Sequence, residues 1–137
     1  MSLWGALSIS GSGVDAMQTW IDTSAGNVAN MNDQVPVGST AYGEQTPVLS
    51  PVAPPPGSGG SGDGVMVAKV AIGTTKGVVE YQPTSPLANA QGDVVVPNVN
   101  LADQMVGMIQ AQDSYQANTA MMQRAKAAYA AGLTIGS

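Results

Sequence analysis

Two aspartates, Asp15 and Asp22, come nearest in this chain to an arrangement that could do chemistry. They are seven residues apart, so in a helix they share one side and lie about 10 Å apart along the axis. Paired carboxylates can divide the roles of general acid and general base. Aspartates on the solvent-exposed side of a helix give the same spacing far more often. The pair therefore predicts a solvated helix face.

Two further segments resemble binding loops only in part. The run Ser10-Gly11-Ser12-Gly13 has the small residues of a phosphate loop but neither the preceding strand nor the following Gly-Lys pair. The loop around Asp63 has too few oxygen ligands nearby for calcium. We therefore expect no catalytic residues, no cofactor and no metal site.

Composition excludes most of the remaining chemistry. The 137 residues include no His and no Cys, which removes the usual general base, the thiol nucleophile and the thiolate metal ligand. The basic residues Lys69, Lys76, Arg124 and Lys126 form no cluster, and the net charge is -5. A negative chain is poorly suited to binding phosphates. We expect neither an enzyme nor a nucleic-acid partner.

The surface must be poor in charge. Charged residues make up 9% of the chain and Phe is absent, whereas charged residues are about 25% of typical soluble proteins. A surface of small and uncharged polar residues is weakly protected against association. This favours a subunit buried against copies or relatives over a small acidic monomer.

The termini show no conventional targeting signal. The first basic residue is Lys69, so the N-terminus lacks the basic region of a secretory signal. No stretch approaches the roughly 20 apolar residues that cross a bilayer. We expect a soluble chain without membrane insertion and without general secretory export. A dedicated export machine that reads an unstructured N-terminus is compatible with both observations.

Apolar residues recur at every seventh position near both ends of the chain. The first series is Leu7, Val14, Ile21 and Val28, and the second is Leu101, Met108, Tyr115, Met122 and Tyr129. Such a repeat keeps one stripe of a helix facing a partner helix. The two ends are therefore predicted to be helices that pair with each other.

The first helix is predicted over residues 3–30, within an N-terminal assembly segment 1–32. Gly11, Gly13 and Gly26 lie inside it, and each costs up to about 1 kcal/mol relative to Ala. Such a helix gains most of its order from packing.

The second helix is predicted within residues 98–137. Asn100 can cap its start, and Asp103 is favourable at the positive helix end. The predicted assembly interface adds Met17, Met105 and Leu133 to the two series. In full it is Leu7, Val14, Met17, Ile21, Val28, Leu101, Met105, Met108, Tyr115, Met122, Tyr129 and Leu133.

The middle of the chain is predicted to be a small β-rich insert. Residues 33–64 are predicted to be an irregular Pro/Gly-rich loop, with a loop or short irregular strand up to residue 50 and a spacer or protruding loop over 51–64. Residues 65–97 are predicted to form a small β element, with runs 65–72 and 77–81 closed as a hairpin by the connection 73–77. A third run covers Val94, Val95 and Val96. The predicted fold class is mainly α, with the terminal helices paired as a coiled-coil-like hairpin.

Several ordered motifs resemble those of the flagellar rod and hook axial family. The N-terminal motifs are Ile9-Ser10-Gly11-Ser12-Gly13 and Thr23-Ser24-Ala25-Gly26-Asn27-Val28-Ala29-Asn30. The middle carries a signature similar to that of proximal-rod members: Tyr81-Gln82-Pro83, Pro86-Leu87-Ala88-Asn89-Ala90-Gln91-Gly92-Asp93-Val94 and Pro97-Asn98-Val99. The C-terminal motifs are Ser114-Tyr115-Gln116-Ala117-Asn118 and Leu133-Thr134-Ile135-Gly136. The chain departs from many relatives in lacking a Thr-Pro-Gly-Tyr turn after Asn30, and the loop 51–64 has no obvious family equivalent.

The resemblance implies a structural subunit of the bacterial flagellar basal body. Such proteins are exported unfolded by the flagellar type III apparatus without a cleaved signal. They polymerise through their terminal helices, with copies of themselves and other rod proteins, into a hollow rod that crosses the periplasmic space. That rod transmits torque from motor to hook and encloses the export channel, for which a polar, weakly charged lining is expected.

Two other interpretations stay open on sequence alone. A secreted tip or tail protein would also pair terminal helices, and a pull-down of rod or export-gate partners would separate it from a rod subunit. An autonomous ligand-binding or enzymatic module built on residues 65–96 would behave as a stable monomer with a pocket.

Overall fold

A computed structural model of the chain describes residues 3–54 and 62–135. Two helices enclose four strands in sequence. They are α1 (Leu3–Asn30), β1 (Gln45–Pro51), β2 (Val65–Ile72), β3 (Val78–Tyr81), β4 (Asp93–Val96) and α2 (Leu101–Ile135). This confirms the predicted fold class of two terminal helices separated by a small β insert.

The two helices lie antiparallel along almost their whole length. The rings of Trp4 and Tyr129 meet near one end, with centroids 6.2 Å apart. At the other end the Asn27 side chain donates to that of Gln104 at 2.9 Å. Asn100 caps the start of α2 as predicted, since its Oδ1 accepts from the Ala102 N–H at 2.9 Å.

The strands form two separate antiparallel pairs, β1 with β2 and β3 with β4. The predicted hairpin between residues 65–72 and 77–81 is therefore wrong. The connection 73–77 instead carries the chain from one sheet to the other. Its Thr75 carbonyl accepts from the Ala41 N–H at 2.9 Å, and the Gly73 N–H donates to the Glu44 carbonyl at 2.7 Å.

Strand β1 lies inside the range 33–64, which the sequence predicted to be irregular. Pro47 and Pro51 occupy two of its seven positions, and prolines normally argue against a strand because they cannot donate to the ladder. They are tolerated here because β2 is the single strand paired with β1, which leaves the other edge free of a ladder. A register shift between Val48 and Leu49 accommodates the irregular strand.

The second sheet supplies the most buried apolar side chains of the insert. Val94 is fully buried and Val95 nearly so. Val35 extends this sheet through two backbone hydrogen bonds with Val95, each 2.9 Å long. Gly92 has φ 86°, where L side chains are disfavoured, and an added Cβ would also lie 2.7 Å from the Tyr81 ring.

Neither helix, over its described residues, is long and apolar enough to cross a bilayer. The β1–β2 hairpin continues beyond its strands, where Val52 exchanges backbone hydrogen bonds with Asp63 and Gly64. The described ends of the predicted spacer, residues 51–54 and 62–64, therefore continue this hairpin, and its residues 55–61 fall outside the described range.

Candidate assembly interface

The buried seam between α1 and α2 consists of small and polar side chains. Its buried residues are Ser10, Gly13, Ala16, Ser24 and Asn27 on α1 and Gln104 and Ala111 on α2. Small residues let two helix backbones approach closely. The hairpin therefore leaves its larger apolar side chains away from the seam.

Two glycines allow this close approach. A Cβ on Gly13 would lie 2.8 Å from the Asn118 side chain, and a Cβ on Gly107 would lie 3.3 Å from the Trp20 ring nitrogen. Gly11 is different, because an added Cβ there would meet nothing within 4 Å. The helix-weakening glycine at position 13 thus has a packing function that its neighbour at position 11 lacks.

The predicted interface residues of α1 flank the seam. All five are half-buried: Leu7, Val14, Met17, Ile21 and Val28. On α2 three are half-buried, namely Met108, Tyr115 and Met122. The other four are exposed, with 42% of Leu101, 53% of Met105, 47% of Tyr129 and 58% of Leu133 accessible.

The second series of seam positions on α2 differs from the one that the sequence indicated. Met105 and Leu133 point outward, and the positions that face α1 are Gln104, Ala111, Asn118 and Ala125, which are buried or half-buried. Sequence reasoning missed them because none is a large apolar residue. The sequence signal that could have identified them is their own seven-residue spacing, each position lying four residues before one of Met108, Tyr115, Met122 and Tyr129.

The large flanking side chains line two grooves on one face of the hairpin. We call these the Tyr115 groove, with Gln18, Ile21, Met108, Gln112, Tyr115 and Gln116, and the Tyr129 groove, with Trp4, Leu7, Lys126 and Tyr129. Leu7 and Ile21 are two heptads apart on α1, and Tyr115 and Tyr129 are two heptads apart on α2. Residues spaced by heptads stay on one side of a helix pair, so both grooves belong to the same face, which we call the groove face.

A buried amide joins the helices to the β insert. Asn27 is fully buried. Its Nδ2 donates to the Gln45 carbonyl at 2.8 Å and to Gln104 Oε1 at 2.9 Å. Its Oδ1 accepts from the Tyr42 hydroxyl at 2.9 Å and from the Gln45 N–H at 2.8 Å. Two donors and two acceptors are therefore all used, and α1, β1 and α2 meet at one side chain.

Further polar groups surround this amide. Gln104 Nε2 donates to the Glu44 carboxylate at 2.6 Å. Burial raises the pKa of the Tyr42 phenol, the Glu44 charge raises it further, and a side-chain hydrogen bond with Asn30 opposes them. At neutral pH the hydroxyl is protonated and can donate to Asn27. The motif Asn27-Val28-Ala29-Asn30 thus positions the β insert at the end of the hairpin, a role that its sequence did not reveal.

Ser12 makes a second connection between α1 and the insert. Its hydroxyl donates to the Ile9 carbonyl at 2.8 Å and accepts from the Val65 N–H at 3.1 Å. Gly64 approaches the same side chain with φ 122°. The Ser-Gly-Ser-Gly run therefore holds the start of β2 through Ser12 and lets α2 pack closely against α1 at Gly13.

The candidate chemical groups lie apart from one another at the surface. Asp15 and Asp22 are exposed, and Asp22 accepts from Gln18 Nε2 at 2.9 Å. Among the described residues, no three potential ligand side chains gather as a metal site would require. The surface of α2 is distinguished instead by exposed apolar side chains, since Val106 and Ile109 are also 53% and 56% exposed.

Comparison with known proteins gives a consistent result. Residues 90–135 match the model of the flagellar basal body rod FlgEFG protein C-terminal family. The chain is 33% identical to the flagellar basal-body rod protein FlgC of Yersinia enterocolitica, with 99% of each chain covered. It is 31% identical to FlgC of Bacillus subtilis over 99% of each chain, and 29% identical to FlgC of Borreliella burgdorferi over 98% of each. The similarity thus includes both helices and the β insert.

Proposed function

The chain belongs to the FlgC family of flagellar basal-body rod proteins, and we propose that it polymerises by packing its helical hairpin against copies of itself and other rod proteins. Membership makes it a structural protein of the basal body. The proposal concerns the surfaces through which it assembles, namely the groove face and the outward side of α2.

The exposed apolar surface of the hairpin carries this proposal. Along α2 the large side chains of Leu101, Met105, Val106, Ile109, Met121, Tyr129 and Leu133 are all more than two-fifths exposed. Soluble monomers rarely leave so much apolar surface in one region. The internal seam is already filled by small residues, so these side chains are available to neighbouring subunits.

Torque transmission and channel lining follow from the same packing. A pair of antiparallel helices of 28 and 35 residues is a stiff element, and close packing against neighbours would carry load along the rod. Gln123 is exposed on α2, outside both grooves, and would contribute to an uncharged polar lining if that side faces the export channel. We propose a purely structural role, with no catalytic step.

We also propose that the chain reaches the rod through the flagellar type III export apparatus as an unfolded polypeptide. The small, polar helix seam supports this proposal, because it gives the hairpin little apolar burial of its own to resist unfolding. The rival tip or tail interpretation has no support from the relatives, which are rod proteins.

The test is a substitution at a half-buried residue of the groove face, Met122→Asp. A charge there would lose water on assembly at a cost of several kcal/mol, and an i,i+4 pair with Lys126 would return only about 0.2–0.5 kcal/mol. We expect swimming to be lost while the protein is still produced, and Asn32→Asp, at an exposed position beyond the end of α1 and outside both proposed surfaces, to swim normally. Normal swimming of Met122→Asp would show that this face is not an assembly surface.

A further inference from the structure

The charges on the helical hairpin are separated along its length. Residues 1–14 and 114–137 contain Arg124 and Lys126 and no acidic residue. Residues 15–33 and 98–113 contain no basic residue and five acidic ones, Asp15, Asp22, Asp33, Asp103 and Asp113. Because the helices are antiparallel, the described residues of the first two ranges form one end of the hairpin, which we call the basic end, and those of the other two form the acidic end.

Each groove of the groove face carries charge of one sign. Lys126 lines the Tyr129 groove, at the basic end of the hairpin. Asp22 borders the Tyr115 groove, since its carboxylate accepts from the groove residue Gln18 at 2.9 Å. The described helix ranges at that end, 3–14 and 114–135, contain no acidic residue that could pair with Lys126. Within one subunit the two charged sites are separated by the length of helix from Leu7 to Asp22, about 22 Å by helix rise.

We propose that the groove face binds a second copy of this chain, displaced along the helix axis so that Lys126 of one copy meets Asp22 of the next. This inference rests on the proposed rod function and adds the residues that meet and the displacement between copies. The charge complementarity between the two grooves identifies the occupant as another copy. The exposed rings of Trp4 and Tyr129 supply the apolar part of the contact at the Tyr129 groove.

In the displaced arrangement neighbouring copies are parallel, and the Tyr129 groove of one copy meets the Tyr115 groove of the next, so the contact is heterologous. Each subunit then keeps a free Tyr129 groove at one end and a free Tyr115 groove at the other. Such contacts extend into open helical assemblies instead of closing into dimers. An axial displacement of about 22 Å between neighbours follows from the rise per residue.

Cross-linking in assembled basal bodies tests the contact. The chain has no Cys, so introduced thiols are the only reactive ones in this protein. Two copies of the chain, one carrying Lys126→Cys and the other Asp22→Cys, are produced in one strain, and its isolated basal bodies are treated with a short bis-maleimide. A flexible reagent is needed because a disulfide requires Cα atoms about 5.5–6 Å apart, closer than an extended Lys–Asp pair holds them.

We expect a covalent dimer of this chain in that strain and none when Arg124→Cys replaces Lys126→Cys. Arg124 is the matched control, since it is two residues away and about 200° around the helix, on a different side. A cross-link to another rod protein, or no cross-link although the chain is present in the basal bodies, would overturn the contact and leave the rod function standing. Absence of the parent chain from basal bodies would instead refute the proposed function.

A charge exchange gives an independent result if the cysteine variants assemble poorly. We expect Lys126→Glu to reduce swimming and the added Asp22→Lys substitution to restore it, whereas Arg124→Glu, with the same change in net charge, should have little effect. Failure of Asp22→Lys to restore swimming would overturn the pairing of these two residues.

Discussion

Replacing Asn27 by alanine removes a side chain on which three structural elements depend. The side chain makes four hydrogen bonds, to Tyr42, Gln104 and both backbone groups of Gln45. A hydrogen bond within a protein contributes about 1 kcal/mol net, so Asn27→Ala should lower the free energy of unfolding by about 4 kcal/mol. That is a large fraction of the roughly 5–15 kcal/mol that stabilises a typical domain.

The assay is urea unfolding followed by far-ultraviolet circular dichroism of the full chain. Asn32→Ala is the matched control, because Asn32 is exposed just beyond the end of α1 and should change the unfolding free energy by less than about 0.5 kcal/mol. Asn27→Leu separates hydrogen bonding from volume, because it fills a similar space and leaves the same partners unsatisfied. We expect it to be no more stable than Asn27→Ala.

The refuting result is an Asn27→Leu variant as stable as the parent chain. The Asn27 side chain would then contribute through packing, since apolar contact would replace its hydrogen bonds without loss of stability. In cells, the same variants should swim in the order of their stability if the β insert must be held at the end of the hairpin.

Three further outcomes can be measured. Gly13→Ala should destabilise the chain by about 1–3 kcal/mol in urea unfolding, because the added Cβ lies 2.8 Å from the Asn118 side chain. Gly11→Ala should stabilise the chain by up to about 1 kcal/mol. Equal effects of the two substitutions would contradict the close approach of α1 and α2 at Gly13. Burial raises the pKa of Tyr42, so above about pH 10 the unfolded chain releases this proton before the folded chain does, and the free energy of unfolding should fall as pH rises. Tyr42→Phe should flatten that fall. An unchanged slope in the variant would contradict the burial of this phenol. Deleting Ser58–Gly62, within the predicted spacer between β1 and β2, should leave rods and swimming near normal because shortening changes closure entropy by under about 1 kcal/mol. Rods that shear under viscous load would point to a contact made by this segment.

The sequence determined the helices of this protein because their signals are local. The seven-residue apolar series, the Asn100 cap and the absence of proline from both terminal segments depend on neighbours within a few turns. These signals predicted α1 as residues 3–30, the range that the structure has. They also identified Met108, Tyr115 and Met122 as residues on one face of α2.

Only the tertiary structure decided how the elements meet. β2 pairs with β1 across the Pro/Gly-rich sequence 51–64, although the nearer run 77–81 offered the shorter connection, because pairing is settled by contacts between distant residues. The seam positions Gly13 and Gln104 carry no hydrophobic signal, since they serve close approach and hydrogen bonding. Asn27 was part of a recognisable motif, but its four partners come from segments up to 77 residues away, and no local pattern encodes which distant groups will satisfy a buried amide.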